Sequence, residues 1–212
     1  MNHTLKIISI EGNIGSGKST VVNSLKKYYS TEKIYFLEEP VGEWEKIKDS
    51  FGKTIIENFY ENQERYSFSF QIMAYISRLS KLKEAIKYCE KNNINLIICE
   101  RSLQTDKNVF CKMLYDNNKI EEINYQIYIR WFDEFIKDFP NINYIYISTR
   151  PEVAYERVLK RSRKGETISL EYLKMCSDYH DNWLKNIECY KINGNNDFES
   201  TFNNVNDIIF KK

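Results

Sequence analysis

The chain has 212 residues, with 31 Lys and Arg against 30 Asp and Glu and a formal net charge of +1. That length suits one well-buried core, so a single domain over 1–212 is expected, and the charge balance argues against a nucleic-acid polymer as the main partner. No apolar stretch approaches a membrane span, and five scattered cysteines without a Cys-x-x-Cys pair suggest neither a zinc site nor a disulfide framework; a cytoplasmic protein with reduced thiols is expected.

Short apolar runs at Leu5–Ile10, Lys33–Leu37, Ile94–Cys99, Tyr144–Ser148 and, more weakly, Cys189–Ile192 alternate with longer amphipathic segments. The spacing predicts helices over 18–29, 54–60, 63–91, 102–116, 120–138, 151–162, 169–187 and 199–210. This alternation points to an α/β fold, a five-stranded parallel sheet flanked by helices. In such sheets ligands gather beyond the C-terminal ends of the strands. There the sequence places Glu11, Glu38-Glu39-Pro40, Glu100-Arg101-Ser102 and Thr149-Arg150, a convergence of charge that reads as a reaction site.

The first run leads into Gly12-Asn13-Ile14-Gly15-Ser16-Gly17-Lys18-Ser19, followed by Thr20. The segment fits G-x-x-x-x-G-K-[ST] and has the context that motif needs, after a strand and opening a helix. Glycines let the amides turn inward, and the helix N-terminus adds positive potential. Lys18 is expected to reach the β- and γ-phosphates and Ser19 to ligate Mg²⁺, so the loop should hold a nucleoside triphosphate. A GTP switch is not supported: Asn118-Lys119-Ile120-Glu121 breaks the guanine-reading pattern, and Asp49-Ser50-Phe51-Gly52 follows no strand. A motor ATPase would need a longer chain and an acid placed to activate water, so transfer to a small acceptor is favoured.

Gln71 and Arg78, seven residues apart on the long helix, share one face. Arg78 has no acid at the spacings of a local helix pair. Farther on, Arg157 to Lys164 carries five positive residues in eight, a run that alone would only complement a helix dipole. Of the two histidines, His3 and His180, neither is assigned a role, and His180 is expected to pack within a helix.

Several word-length matches in order, "ISIEGNIGSGKST", "EEPVGEW", "YENQERYSFSFQ" with "SR", "CERS", "RPEVAYERVLKRSRKGE" and "ISLEYL", resemble the deoxynucleoside kinase family, closest to its deoxycytidine/deoxyguanosine kinase branch. The resemblance implies a P-loop kinase fold with an arginine-rich lid over about 157–167, a homodimer, and transfer of the ATP γ-phosphoryl group to a 5′-hydroxyl. It implies that Glu39 is the general base, with Glu38 the weaker candidate; that Glu100 ligates Mg²⁺; and that Arg101 binds the 5′-oxygen or the migrating phosphoryl group. Arg161 and Arg163 would close over the triphosphate with Arg157 in support, and Glu166 with Tyr60 would read the sugar 3′-hydroxyl. Gln71 would meet the base edge, with Arg78 and Asp106 as a charged pair at the far wall. Trp44, Phe70 and Phe110 would line the base, and Asp197 and Phe198, in "NGNNDF", would meet the donor base.

Such a pocket crowds a thymine methyl, so dCyd, dGuo or dAdo is expected over thymidine. A deoxynucleoside monophosphate kinase is the nearest alternative, with Lys160, Lys164 and Arg65 as spare cations. Glu39 argues against it, because an ionised phosphate acceptor needs cations more than a base. A non-catalytic nucleotide sensor is the alternative of another class; it would keep Lys18 without needing Glu39, Glu100 and the arginines together.

Overall fold

The computed structural model describes residues 5–29, 31–137, 139–163 and 165–210; His3 and Lys164 lie outside them. Strands β1 (Lys6–Glu11), β2 (Ile34–Leu37), β3 (Leu96–Glu100), β4 (Ile142–Ser148) and β5 (Cys189–Asn193) pair in parallel in the order β2-β3-β1-β4-β5. Alternate side chains feed two separate cores. Ile7, Ile97 and Cys99 enter one, whereas Ile8, Ile10, Ile98, Ile145 and Ile147 enter the other. A parallel sheet covered on both faces needs apolar residues at most positions, which explains why β1, β2 and β3 read as near-continuous apolar runs, while the edge strand β5 carries Lys191 and is largely exposed.

Helices α1 (Lys18–Tyr28) and α10 (Phe198–Phe210) close the second core through Val21, Val22, Leu25, Val205 and Ile209. The first core lies beneath α4 (Gln63–Asn92), α7 (Glu122–Ile136), α8 (Pro151–Arg161) and α9 (Leu170–Leu184). Short helices α2 (Val41–Trp44) and α3 (Ile55–Glu61) follow β2. Thr54 and Glu57 form a reciprocal capping box that starts α3, and Asn62 caps α4 by accepting from Arg65 N at 3.1 Å. Among the described residues no helix is long and apolar enough to cross a membrane.

The segment expected as one helix over 102–116 is interrupted. α5 (Leu103–Thr105) runs into a π-helical stretch, Asp106–Cys111, before α6 (Lys112–Asp116). Each π turn accommodates an additional residue, and such bulges gather at functional sites. Here the wider turns put Asp106 and Phe110 on the wall of a cavity while Val109 and Cys111 stay in the core. Because the sheet is parallel, the loops after β1, β2 and β3 leave its same edge, and that edge opens into the cavity.

Candidate active site

The loop after β1 wraps the start of α1. Gly15 has φ 80°, and a Cβ there would lie 2.3 Å from the Ala154 carbonyl oxygen, so both backbone angle and close packing on α8 demand glycine. Gly17, at φ 98°, ends the loop, and no side chain caps the N-terminus of α1. Its first amides are therefore available to an anion. Lys18 is buried, and its Nζ donates to the Asn13 carbonyl at 2.7 Å. Burial, then the nearby Arg101 guanidinium, lowers its pKa to about 7.

Gly12, Asn13 and Ser16 shape the loop from behind instead of lining the cavity. The Asn13 amide ties the loop to α9 by donating to the Leu173 carbonyl at 2.7 Å. Arg157 donates to the carbonyls of Ser16 at 3.4 Å and Gly194 at 3.0 Å, so it braces the phosphate loop against the turn after β5. Ile14, Gly15, Gly17, Lys18, Ser19 and Thr20 face a cavity of about 430 Å³.

Beyond Lys18 the cavity holds four interlocked charged side chains. Glu39 Oε1 accepts from Arg101 at 2.7 Å and from Arg78 at 3.0 Å. Arg78 donates through Nε to Asp106 Oδ2 at 2.9 Å and also to the Glu100 carbonyl at 3.0 Å. Burial alone would raise the Glu39 carboxyl, but Arg101 and then Arg78 outweigh it and hold the pKa at about 2. Burial raises that of Asp106, with Arg78 opposing the shift. Arg101 lies over the Phe110 ring at 5.2 Å, and its φ of 63° is a left-handed conformation unusual for a side-chain-bearing residue. Glu38 instead pairs with Lys26 at the surface, 2.7 Å apart.

At the far end, Trp44, Phe70 and Phe110 form aromatic walls, and Trp44 Nε1 is fixed by donating to Ser77 Oγ at 2.8 Å. Gln71 also lines this end; its buried Oε1 has no partner among the described residues, leaving an acceptor for a ligand. Tyr60 borders the same space, where burial and then Glu166 raise its pKa and keep its hydroxyl a donor. Ala74, one turn from both Gln71 and Arg78, lines the cavity too, as do Ile56, Phe59 and Tyr172. The Gln71–Arg78 helix face could have revealed Ala74; nothing local in sequence marks the other three.

Arg161 and Arg163 line the opening, but here both turn to Glu166: Arg161 makes a close ion pair with it, and Arg163 lies 3.9 Å away. Asp197 and Phe198 do not line the cavity. Asp197 caps α10 by accepting from Ser200 N at 2.8 Å, while Phe198 is surface-exposed beside Phe202. Of the cations considered for a nucleotide acceptor, Lys160 lines the cavity, and Arg65 lies over the Tyr66 ring outside it. His180 is buried within α9 with Nδ1 on the Cys176 carbonyl at 2.7 Å, and burial lowers its pKa to about 3.

Ser19 Oγ donates to Glu100 Oε1 at 2.7 Å, bringing a hydroxyl and a carboxylate together beside the phosphate loop. Among the described residues, no group of three or more His, Cys, Asp or Glu gathers as a metal cage. Two hard oxygen donors fit Mg²⁺, which keeps water and phosphate oxygens as its remaining ligands.

The family model described as Deoxynucleoside kinase matches residues 8–211. The chain is 32% identical over 217 residues to a probable deoxycytidine kinase of fowlpox virus, covering 97% of this chain and 86% of that protein. It is 34% identical over 201 residues to human deoxycytidine kinase, covering 85% and 75%. Against the mitochondrial deoxyguanosine kinase of Xenopus laevis it is 29% identical over 224 residues, covering 92% and 84%.

Proposed function

This chain belongs to the deoxynucleoside kinase family, whose reaction takes a phosphoryl group from a nucleotide donor to a small nucleoside, and we propose that its donor is ATP, its acceptor atom a 5′-hydroxyl, and its preferred acceptors dCyd, dGuo or dAdo over thymidine. The observation that carries this reading is Glu39: a partly buried carboxylate held by Arg101 and Arg78 in the same cavity as Lys18. A carboxylate at the acceptor position repels an incoming phosphate but accepts the proton of an alcohol.

On this reading Lys18 turns from the Asn13 carbonyl to the β- and γ-phosphates, and the uncapped N-terminus of α1 receives the remaining charge. Ser19 and Glu100 would hold Mg²⁺, which when bound would neutralise phosphate charge. Glu39 hydrogen-bonds the 5′-hydroxyl and takes its proton, while Arg101 moves its charge toward the transferring phosphoryl group, whose spread negative charge suits a planar guanidinium. Gln71 meets the base edge, and the Arg78–Asp106 pair closes the wall beyond it. Tyr60 and Glu166 hold the sugar 3′-hydroxyl; Arg161 and Arg163 then belong to a lid that leaves Glu166 for the triphosphate and excludes water.

The reading includes a homodimer. On α7, Ile123, Ile127 and Trp131 recur every four residues and are exposed, with Ile76 of α4 also exposed. A contiguous apolar stripe is costly to leave in water, and a second copy of the same surface covers it.

The test is a coupled turnover assay with Mg-ATP against dCyd, dGuo, dAdo, thymidine and their 5′-monophosphates, with the product identified by chromatography. The expected products are nucleoside 5′-monophosphates, with thymidine the poorest acceptor. Turnover confined to the monophosphate acceptors overturns the reading, and binding of ATP without any turnover favours a sensor.

A further inference from the structure

Glu11, the last residue of β1, is completely buried and lines no part of the cavity, yet its carboxyl gathers three hydroxyls. Oε1 accepts from Ser9 Oγ and Ser102 Oγ, each at 2.7 Å, and Oε2 accepts from Thr105 Oγ1. No ion pair to Glu11 occurs among the described residues. Burying a carboxyl is costly, and an apolar side chain would fill the space at the end of a strand more simply. The carboxyl must therefore be explained by what its partners hold.

Two of those partners, Ser102 and Thr105, closely follow Arg101 in the chain. Ser102 and Thr105 form the capping box that starts α5, with Thr105 N donating to Ser102 Oγ at 3.3 Å and Ser102 N to Thr105 Oγ1 at 3.4 Å. On the other side, Arg101 N donates to the Ile10 carbonyl at 3.1 Å, so β1 grips Arg101 from the residue before Glu11 as well. Between the two attachments the backbone must turn sharply, and Arg101 does so at φ 63°. A residue with a side chain adopts that conformation only when its surroundings over-determine it. Thr105 also directly precedes Asp106, which begins the π-helical stretch and faces Arg78.

We propose that Glu11 is a positioning residue: its carboxyl clamps Ser102 and Thr105 to the end of β1, and so holds Arg101 in its left-handed conformation with the guanidinium on Glu39. The inference rests on the proposed kinase reaction for its kinetic meaning, but its geometric content stands apart from it. Glu11→Gln keeps the shape while replacing one acceptor oxygen with a donor. Thr105→Val and Ser102→Ala break the same clamp from the hydroxyl side.

The experiment combines crystal structures, calorimetric ATP titrations and steady-state kinetics of Glu11→Gln, of Ser102→Ala with Thr105→Val, and of Glu11→Gln in an Arg101→Ala background. In the structures Arg101 should leave the left-handed region and its guanidinium should leave Glu39. An Arg101 that keeps φ near 63° and its Glu39 contact in both clamp variants overturns the proposal, whether or not the protein turns over a nucleoside. In the kinetics kcat should fall by about 100-fold, the scale of a misplaced group, with ATP affinity changed by less than about threefold. Once Arg101 is alanine, Glu11→Gln should change kcat by less than about twofold, because the residue it positions is gone. A second full-sized loss in that background, as a general structural role would give, also overturns the proposal. Failure of wild-type turnover would instead count against the kinase reading and leaves the structural comparison decisive for Glu11.

Discussion

Arg78, from the middle of α4, donates to Glu39 Oε1 at 3.0 Å, and the same guanidinium holds Asp106 Oδ2 at 2.9 Å. On the proposed reading, the group at the base end of the cavity therefore also supports the acid that takes the proton, so selectivity and catalysis would share one side chain.

Glu39→Gln removes the proposed proton acceptor while keeping its shape. We expect kcat to fall by about 100- to 10,000-fold with little change in nucleoside KM, measured under steady-state conditions. Because Arg101 and Arg78 overcome the effect of burial and hold this carboxyl at about 2, it remains ionised at every pH above that. The kcat/KM profile between pH 5 and 8 should accordingly show no acidic limb from Glu39. An unchanged kcat in Glu39→Gln removes the residue from the mechanism.

Arg78→Met strands the buried Asp106 carboxylate, at a cost of about 3–5 kcal/mol, whereas Asp106→Ala leaves Arg78 paired with Glu39 and should cost less. The double variant should be less destabilised than the sum of the singles, as read from denaturant unfolding. It should also raise thymidine kcat/KM relative to dCyd by opening the far wall. Since Arg78 also supports Glu39, kcat for the preferred nucleoside should fall in every variant lacking it. A double variant with the original substrate ranking would refute the pocket assignment.

Lys18 should couple ATP binding to proton uptake. Burial, then Arg101, lowers its pKa to about 7, so at pH 8 it is mostly neutral in the ligand-free protein. A triphosphate beside it restores the charged form, and binding at pH 8 should take up close to one proton at this site. At pH 6 the lysine is already charged and contributes no uptake. Calorimetry in buffers of different ionisation enthalpy reads the difference, which Lys18→Met should abolish.

Trp131→Glu with Ile127→Glu places charge in the exposed stripe of α7. Sedimentation should show a dimer for the unaltered chain and a monomer for the variant. A wild-type monomer at micromolar concentration contradicts the proposed assembly.

Strands β1 to β4 are legible as apolar runs because a sheet covered on both faces is mostly apolar, whereas the edge strand β5, with Lys191 and three exposed positions, shows only weakly; all five ends fall within two residues of expectation. Strand order was not read, since the long crossovers permit several. α2, only four residues long, is too short to show a helical period, and the added residues of the π turns leave no composition signal. At the site, the phosphate loop was readable because its motif is contiguous. Arg78 and Asp106 were paired through the family resemblance alone. The reach of Arg78 to Glu39 and the grip of Glu11 on Ser102 and Thr105 depend on side chains meeting across distant elements, while the turn of Arg161 to Glu166 is a short-range loop contact; local periodicity carries no trace of any of them. Asp197 and Phe198, matched by word likeness, sit at the start of α10 outside the cavity, where Asp197 caps the helix and Phe198 stays exposed; their donor-base role remains a proposal.

The central claim is that an uncharged sugar alcohol meets Glu39 at the end of the phosphate loop. The most direct measurement is a crystal structure with ADP, Mg²⁺ and dCyd, in which the separation of the sugar O5′ from the Glu39 carboxylate is read. We expect a hydrogen bond of about 2.6–3.2 Å, with Arg101 beside the same oxygen. A carboxylate turned away from the sugar, or a second phosphate lodged between them, would contradict the account.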